Sequence, residues 1–258
     1  MKVIVAGKGG SGKSTLCALM ARQLAKQGWR ILLVDADESN MGLHRMVGMP
    51  ENPVLMDQLG GKKGFKQKMN PPPLSLGESA LFGDRVTLDT LQKEWVAEHE
   101  GISLLSIGKI HVSGEGCACP MGALSRLVLS KLVIGGKELV VIDTTAGIEH
   151  FGRGIDEKCD LVLIVVDPSQ ESFALAKKIV TISTAAGLDY AVILNKVSDQ
   201  VRDIMLRHVE ESRVIAEVSH DDRLFLNNLN GEPLSMEIGA IAAVCGFMEN
   251  KALDQSNH

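Results

Sequence analysis

A short glycine-rich stretch near the start of the chain constrains its fold more than any other feature. An apolar run, Val3-Ile4-Val5-Ala6, leads directly into Gly7-Lys8-Gly9-Gly10-Ser11-Gly12-Lys13-Ser14. Glycines at this spacing let the backbone curl so that its N–H groups point inward at phosphate oxygens. The helix that follows directs its positive end at the same anion. The stretch therefore predicts a phosphate-binding loop between a strand and a helix, which is how a P-loop α/β domain begins.

The loop also predicts which residues contact a nucleoside triphosphate. Lys13 is expected to reach the β- and γ-phosphates, and Ser14 is expected to bind Mg²⁺. The remaining phosphate contacts are expected from the other residues of the loop and the first turn of the helix, namely Gly9, Gly10, Ser11, Gly12 and Thr15.

A second interpretation of the same glycines must be weighed. Gly7, Gly9 and Gly12 also match the dinucleotide fingerprint, and acidic residues follow at Asp35 and Asp37. A dinucleotide, however, has no γ-phosphate for a lysine at the end of the loop and no metal ion for a hydroxyl beside it. The loop therefore favours a triphosphate, with ATP and Mg²⁺ as the expected ligands.

Three aspartates end predicted strands, at the edge where α/β sheets bind ligands. Asp35 and Asp37 end the second strand, where one carboxylate can orient the attacking water and another can support Mg²⁺. The alternative is a pair of solvated loop acids. Asp143 closes the apolar run 140–142 as in a Walker B strand, whose aspartate binds Mg²⁺ through water. Gly147 follows, and its backbone N–H is expected near the γ-phosphate.

A polar dipeptide ends another predicted strand. Asn195 and Lys196 follow the apolar run that begins at residue 190. A carboxamide offers both a donor and an acceptor, which suits the edge of adenine. The dipeptide is a weak signal alone and gains weight from its place at a strand end. We therefore predict that both residues belong to the nucleotide site.

Apolar runs alternate with amphipathic segments along the whole chain, which is the rhythm of a doubly wound, mainly parallel sheet with helices on both faces. We predict a single P-loop domain over residues 1–258. The predicted strands are 2–6, 30–35, 102–106, 138–143, 160–166, 190–195 and 213–217. The predicted helices lie near 13–28, 122–134, 171–187, 199–211 and 234–248.

One stretch, at about 60–100, interrupts this rhythm. It contains Gly60-Gly61, a lysine-rich run over 62–68 and three prolines at 71–73. We interpret it as a solvated, mobile insertion, because glycine, proline and charge disfavour packed elements. The alternative is a segment that docks a partner or acts as a switch.

Two cysteines, Cys117 and Cys119, flank a single alanine in a loop before a predicted helix. Paired thiols bind soft metals well, yet two ligands cannot close a tetrahedral site, which needs four. A two-fold dimer would bring together four thiolates from two such pairs. The alternatives are adventitious cysteines or a strained local disulfide. The other cysteines lie in apolar segments and are expected in the core: Cys17, Cys159 and Cys245.

Composition excludes several classes of function. The net charge is −5 and aromatic residues make up 3% of the chain. Neither a nucleic-acid surface nor an anionic membrane surface is expected, because both need clustered basic residues and the former often needs exposed rings. Five cysteines at irregular spacing fit a reducing, cytoplasmic compartment better than a disulfide framework. We expect no signal peptide and no membrane span.

Taken together, these motifs resemble the deviant Walker A ATPases, the family of MinD, ParA, the nitrogenase iron protein and the arsenite-pump ATPases. Within it, the chain is most similar to the maturation ATPases that insert nickel into carbon monoxide dehydrogenase or acetyl-CoA synthase. The resemblance spans nearly the whole chain. It rests on the loop with Cys117 and Cys119, on Asp143-Thr144-Thr145-Ala146-Gly147-Ile148-Glu149-His150, and on Asn195-Lys196-Val197.

The resemblance implies an ATP-driven homodimer that binds nickel or zinc between its subunits. It also implies that Lys8 acts across the dimer on the partner's phosphates and that Asp37 activates water. Cys117 and Cys119 would then be the metal ligands, and ATP turnover would accompany delivery of the metal to a client nickel enzyme.

Two alternatives remain within this family. An iron–sulfur cluster carrier would also use thiolates, although cluster-scaffold relatives carry paired cysteines nearer the C-terminus, where this chain has Cys245 alone. A positioning ATPase would end in a basic amphipathic membrane helix, whereas residues 238–251 contain one lysine.

Overall fold

The computed structural model describes residues 1–69, 82–110, 119–148 and 158–256, and in them eight strands form one sheet. In chain order the strands are β1 (Lys2–Gly7), β2 (Arg30–Ala36), β3 (Ala97–His99), β4 (Ile102–Ser106), β5 (Glu138–Thr144), β6 (Leu161–Val166), β7 (Asp189–Val197) and β8 (Val214–Ser219). Their spatial order is β3-β4-β2-β5-β1-β6-β7-β8. Only β3 runs antiparallel to its neighbour.

Helices cover both faces of this sheet. They are α1 (Lys13–Lys26), α2 (Leu43–Met46), α3 (Leu55–Gln58), α4 (Gly61–Met69), α5 (Cys119–Lys131), α6 (Gln170–Ala185), α7 (Asp199–Leu206), α8 (Asp222–Asn230) and α9 (Gly239–Ser256). Because side chains alternate along a strand, Ile4 and Ala6 pack with α5 and α6, while Val3 and Val5 pack with α1 and α9. This arrangement confirms the predicted doubly wound fold.

Each of the seven predicted strands is present, and the five predicted helices are present with shifted ends. The last helix begins at Gly239 rather than 234 and continues to Ser256. The sequence patterns did not predict the short edge strand β3 or the helices α2, α3, α4 and α8. These elements are short, and a hydrophobic period cannot be recognised over one or two turns.

The described parts of the stretch at about 60–100 differ from the solvated segment that we expected. Phe65 in α4 is 3% exposed and Trp95 is 8% exposed, and both belong to the core that contains α5 and α6. The backbone N–H of Val86 donates to the carbonyl of Lys131 at the end of α5. The lysine-rich composition concealed this packing, because a helix can bury one aromatic side chain while its lysines point to solvent.

Candidate nucleotide-binding site

The phosphate-binding loop joins β1 to α1 at the carboxyl edge of the sheet. Gly12 precedes the helix with φ +100°, and a Cβ atom there would collide with the side-chain amide of Asn195. Only glycine satisfies both conditions without strain. Lys13 is 6% exposed, and its ammonium donates to the carbonyl of Lys8 at 3.2 Å. The lysine is thus folded back along the loop that it is expected to serve.

A cavity of about 520 Å³ opens beside this loop, which is a size that suits a small-molecule ligand. It is lined by residues from five separate chain segments. They are Gly9, Gly10, Gly12 and the first turn of α1; Asp37, Ser39 and Asn40; Ala146; Asn195 and Lys196; and Ser219, His220, Asp221, Leu224, Phe225 and Asn228.

Two buried carboxyl groups lie side by side beneath this cavity. Asp35 of β2 and Asp143 of β5 are register partners in adjacent strands. Burial raises the pKa of Asp143 to about 7, with a further increase from the nearby Asp35 carboxylate. Burial also raises the pKa of Asp35 to about 6, although the ammonium of Lys109 opposes this increase. Burial therefore disfavours the charged form of both carboxyl groups unless a cation lies beside them.

The residues around Asp143 fit a magnesium ion. The Asn40 amide donates to Ser14 Oγ at 3.0 Å and to Asp143 Oδ2 at 3.3 Å, so serine and carboxylate flank one position. Asp143 Oδ1 is buried without a hydrogen-bond partner among the described residues. The described ranges contain no group of three or more histidine, cysteine or acidic residues that could hold a metal ion by themselves. Mg²⁺ needs no such cluster, because it takes one or two protein oxygens together with phosphate and water.

Asp35 makes a different contact from the one we predicted for it. Its Oδ2 accepts from the Lys109 ammonium at 2.6 Å, and both side chains are almost completely buried. The sequence analysis missed Lys109. The available signal was a lysine three residues after the buried strand β4, at the edge of the sheet where ligands bind.

Asp37 lines the cavity and is half-buried. Its Oδ1 accepts from the N–H and from the hydroxyl of Ser39, at 2.9 and 2.6 Å.

Lys8 lies on the other side of the loop. Its Nζ is 3.3 Å from Oδ2 of Asp167, just beyond β6 in the same chain, and its side chain is 32% exposed. The Asp167 carboxylate is held in turn by the hydroxyl of Ser169 at 2.6 Å.

Asn195 and Lys196 lie at the site, where their side chains form hydrogen bonds with the backbone of the phosphate-binding loop. The Asn195 amide donates to the carbonyl of Ser11, and the Lys196 ammonium donates to the carbonyl of Gly10, each at 2.7 Å. Lys196 adopts φ +59°, which is uncommon for a residue with a side chain and is found often at functional sites. The adenine contact of Asn195 stays a prediction.

Gly147 is close to the loop as well. Its N–H donates to the carbonyl of Gly7 at 3.3 Å. The predicted contact of this N–H with a γ-phosphate would therefore replace a hydrogen bond that the protein makes internally.

The predicted metal-binding pair falls only partly within the described residues. Cys119 is the first residue of α5 and is exposed, whereas Cys117 lies outside the described residues. The other three cysteines are buried, as predicted: Cys17, Cys159 and Cys245.

Comparison with known proteins decides the family. Residues 2–234 match the family model of the CobQ/CobB/MinD/ParA nucleotide-binding domain. The chain belongs to this family. It is an ATP-binding ATPase of the CobQ/CobB/MinD/ParA group, and this confirms the resemblance seen in its motifs.

Individual members of the CobQ/CobB/MinD/ParA family extend the comparison. The chain is 43% identical to an uncharacterised ATP-binding protein of Methanocaldococcus jannaschii, over 95% of this chain and 98% of that protein. It is 36% identical to the carbon monoxide dehydrogenase accessory protein CooC of Rhodospirillum rubrum, over 78% of this chain and 76% of CooC.

Solved structures of the family support the fold. The septum site-determining protein MinD of Pyrococcus horikoshii, complexed with Mg-ADP, superposes with a TM-score of 0.67 at 18% identity. The match covers 97% of this chain and 96% of MinD. Across the described ranges, none of the helices is long and apolar enough to cross a membrane.

Proposed function

We propose that this chain is a cytoplasmic, homodimeric metallochaperone. It would bind nickel or zinc at a site shared by Cys117 and Cys119 of both subunits and use ATP to support metal insertion into a client enzyme. The identity to CooC, a carbon monoxide dehydrogenase accessory protein, suggests carbon monoxide dehydrogenase as the client. The resemblance of the motifs adds acetyl-CoA synthase as the other candidate. The observation that carries the proposal is the exposed Cys119 at the N-terminus of α5, in a chain with a P-loop site.

The nucleotide chemistry follows from residues that line or support the cavity. Lys13 would bind the β- and γ-phosphates, and Ser14 with Asp143 would hold Mg²⁺ between them. Asp37, which lines the cavity, would orient water toward the γ-phosphate. Magnesium would neutralise charge that develops on the phosphates. Lys8 would leave Asp167 and reach the phosphates of the partner subunit.

The argument for a shared metal site is one of ligand number. A thiolate is favoured at a helix N-terminus, and each chain offers two thiols only two residues apart. A closed tetrahedral site needs four ligands, and a two-fold axis doubles what one chain supplies. A metal on that axis would tie the subunits together even without ATP.

Membrane attachment is not part of this proposal. Division-site relatives need a cationic face on the terminal helix to bind anionic lipid. In α9 the one lysine, Lys251, pairs with Asp189. ATP-dependent sedimentation with anionic vesicles would contradict the proposal and favour a positioning ATPase.

The deciding experiment is a metal titration read by native mass spectrometry. Anaerobically purified protein should bind one Ni²⁺ or Zn²⁺ per dimer. Cys117→Ser and Cys119→Ser should each abolish this binding, because either homodimeric variant keeps only two thiolates, which cannot close a tetrahedral site. Cys245→Ala, which removes a buried thiol elsewhere in the fold, should bind metal like the wild type.

Two results would contradict the shared site. One is a stoichiometry of one metal per monomer, and the other is unchanged binding when both cysteines are replaced. Intense iron–sulfur absorbance after anaerobic purification would favour the cluster-carrier alternative instead.

A further inference from the structure

The segment that leads toward the cysteine pair runs alongside one wall of the nucleotide site. Directly after β4, the N–H of Ile107 donates to the carbonyl of Asp35 at 3.0 Å. Three residues later the N–H of Ile110 donates to the carbonyl of Glu38 at 3.2 Å. Residues 107–110 are therefore joined to residues 35–38 as an irregular extension of the β2–β4 ladder.

The buried side chain of Lys109 adds further hydrogen bonds between residues 107–110 and the segment that follows β2. Its ammonium donates to Asp35 Oδ2 and to the carbonyl of Asp37, both at 2.6 Å, and also to the carbonyl of Asn40. An ammonium has three N–H donors, so these contacts satisfy all of them. The side chain is 5% exposed. Separating a buried charge from its partner makes a protein much less stable. We therefore expect loop 37–40 and Lys109 to move together.

The other side of loop 37–40 lines the cavity of the candidate nucleotide site. Asn40 bridges Ser14 and Asp143, the two groups that would hold Mg²⁺. A magnesium ion at that position would compete with the Asn40 amide for the same oxygens. Nucleotide binding with Mg²⁺ would therefore act directly on the loop to which Lys109 is attached.

The same segment touches the helix that carries Cys119. A Cβ atom on Gly108 would lie 2.8 Å from Cγ of Met121, so the backbone of Gly108 packs tightly against this side chain. Met121 is 4% exposed and lies in the first turn of α5, two residues after Cys119. A displacement of residues 108–109 would press on the beginning of α5.

We propose that Lys109 is a positioning residue that transmits the nucleotide state to the metal-binding end of α5. When Mg-ATP displaces the Asn40 amide, loop 37–40 would shift and carry Lys109 with it. Gly108 and Met121 would then move the start of α5, and with it the Cys119 thiol. The link to metal affinity rests on the proposed function, whereas the link from nucleotide to Cys119 can be tested without metal.

The experiment measures the rate at which a maleimide labels Cys119 in a Cys117→Ser background. The rate is compared in the metal-free protein with and without a saturating, non-hydrolysable Mg-ATP analogue. We expect the nucleotide to change the rate about fivefold or more, the lower range of ordinary allosteric coupling. Lys109→Met should reduce this ratio to near one, because it removes the charge and all three donors.

Two further variants keep the test decisive. Lys63→Met removes an exposed lysine from the cavity beside Lys109 and should preserve the nucleotide effect. Lys109→Gln can still donate to the carbonyls of Asp37 and Asn40 but has no charge for Asp35, so it should retain part of the effect. Lys109→Gln also carries the test if thermal unfolding shows that Lys109→Met does not fold.

A full nucleotide effect in folded Lys109→Met, or none in the parent protein, would overturn the proposal. A parallel titration with Zn²⁺ uses the protein with both cysteines intact. In this titration, Lys109→Met should still bind zinc. Its zinc affinity should be the same with and without the Mg-ATP analogue, whereas that of the wild type should differ between the two states. If the wild type binds no zinc or nickel, the metallochaperone proposal fails, and the labelling ratios still decide the role of Lys109.

Discussion

Asp143 is completely buried close to Ser14 of the phosphate-binding loop, and its chemistry can be tested as a single residue. Its pKa is raised to about 7 by burial and by Asp35 beside it. In the unfolded chain the carboxyl group titrates near its ordinary value of 3.8. Between these two values the folded protein binds a proton that the unfolded chain does not. Without magnesium, this carboxyl group therefore makes the protein less stable as the pH rises from about 4 to about 7.

Asp143→Asn should remove this pH dependence, because an asparagine keeps the shape but cannot ionise. Urea unfolding without Mg²⁺ or nucleotide should show a stability difference, variant minus wild type, that grows as the pH rises from 5 to 8. Each unit by which folding raises the pKa costs about 1.4 kcal/mol above that pKa. A difference that stays constant with pH would contradict the assignment.

The phosphate-binding loop and Asp143 could be predicted from the sequence because each is marked by a local pattern of residues. A glycine spacing or an acid after an apolar run is readable without knowing what lies nearby. The place of Lys109 shortly after an apolar strand was readable too, but the contacts of Lys109 and Asn40 were not. Their roles depend on β4 lying next to β2 and on β5 lying beyond it, and no local pattern encodes that order.

Among the elements, α4 is the one whose burial the composition concealed. Phe65 is 3% exposed within a run of lysines, and α4 packs against α3 and α5. The seven predicted strands were recognisable because most are apolar along their length, as strands buried on both faces are. Helices of one or two turns carry too few residues for such a pattern.

Phe65→Ala should lower the free energy of unfolding by about 3 kcal/mol or more, as truncation of a buried aromatic side chain usually does. Phe225→Ala is the matched control, because Phe225 is 61% exposed on α8. It should change stability by less than about 0.5 kcal/mol. Urea unfolding without nucleotide measures both. Equal effects in the two variants would mean that α4 does not contribute to the core.

In the proposed homodimer, each chain completes the nucleotide site of the other chain. Lys8 pairs with Asp167 of its own chain, at a position from which a partner could draw it away. Lys8→Ala should weaken ATP-induced dimerisation and turnover while ADP binding persists. Mixing Lys8→Ala with Asp37→Ala chains should restore activity, because one of the two sites in the heterodimer then has both groups.

The reciprocal mixture is the control for this experiment. Chains that carry both substitutions, mixed with wild-type chains, form heterodimers in which neither site is complete if Lys8 acts across the interface. Activity in those heterodimers, with none in the first mixture, would place Lys8 in its own subunit.

The position of β1 in the middle of the sheet also bears on how the protein is made. β1 leaves the ribosome before the other strands of the sheet, yet its two neighbours, β5 and β6, begin only at Glu138 and Leu161. Until then the nascent chain exposes an apolar strand whose backbone groups have no strand to pair with, a species prone to aggregation. Asn195, whose amide donates to the Ser11 carbonyl in the phosphate-binding loop, is translated later still. Nascent chains shorter than this should depend on chaperones, and full-length chains released into ATP should not.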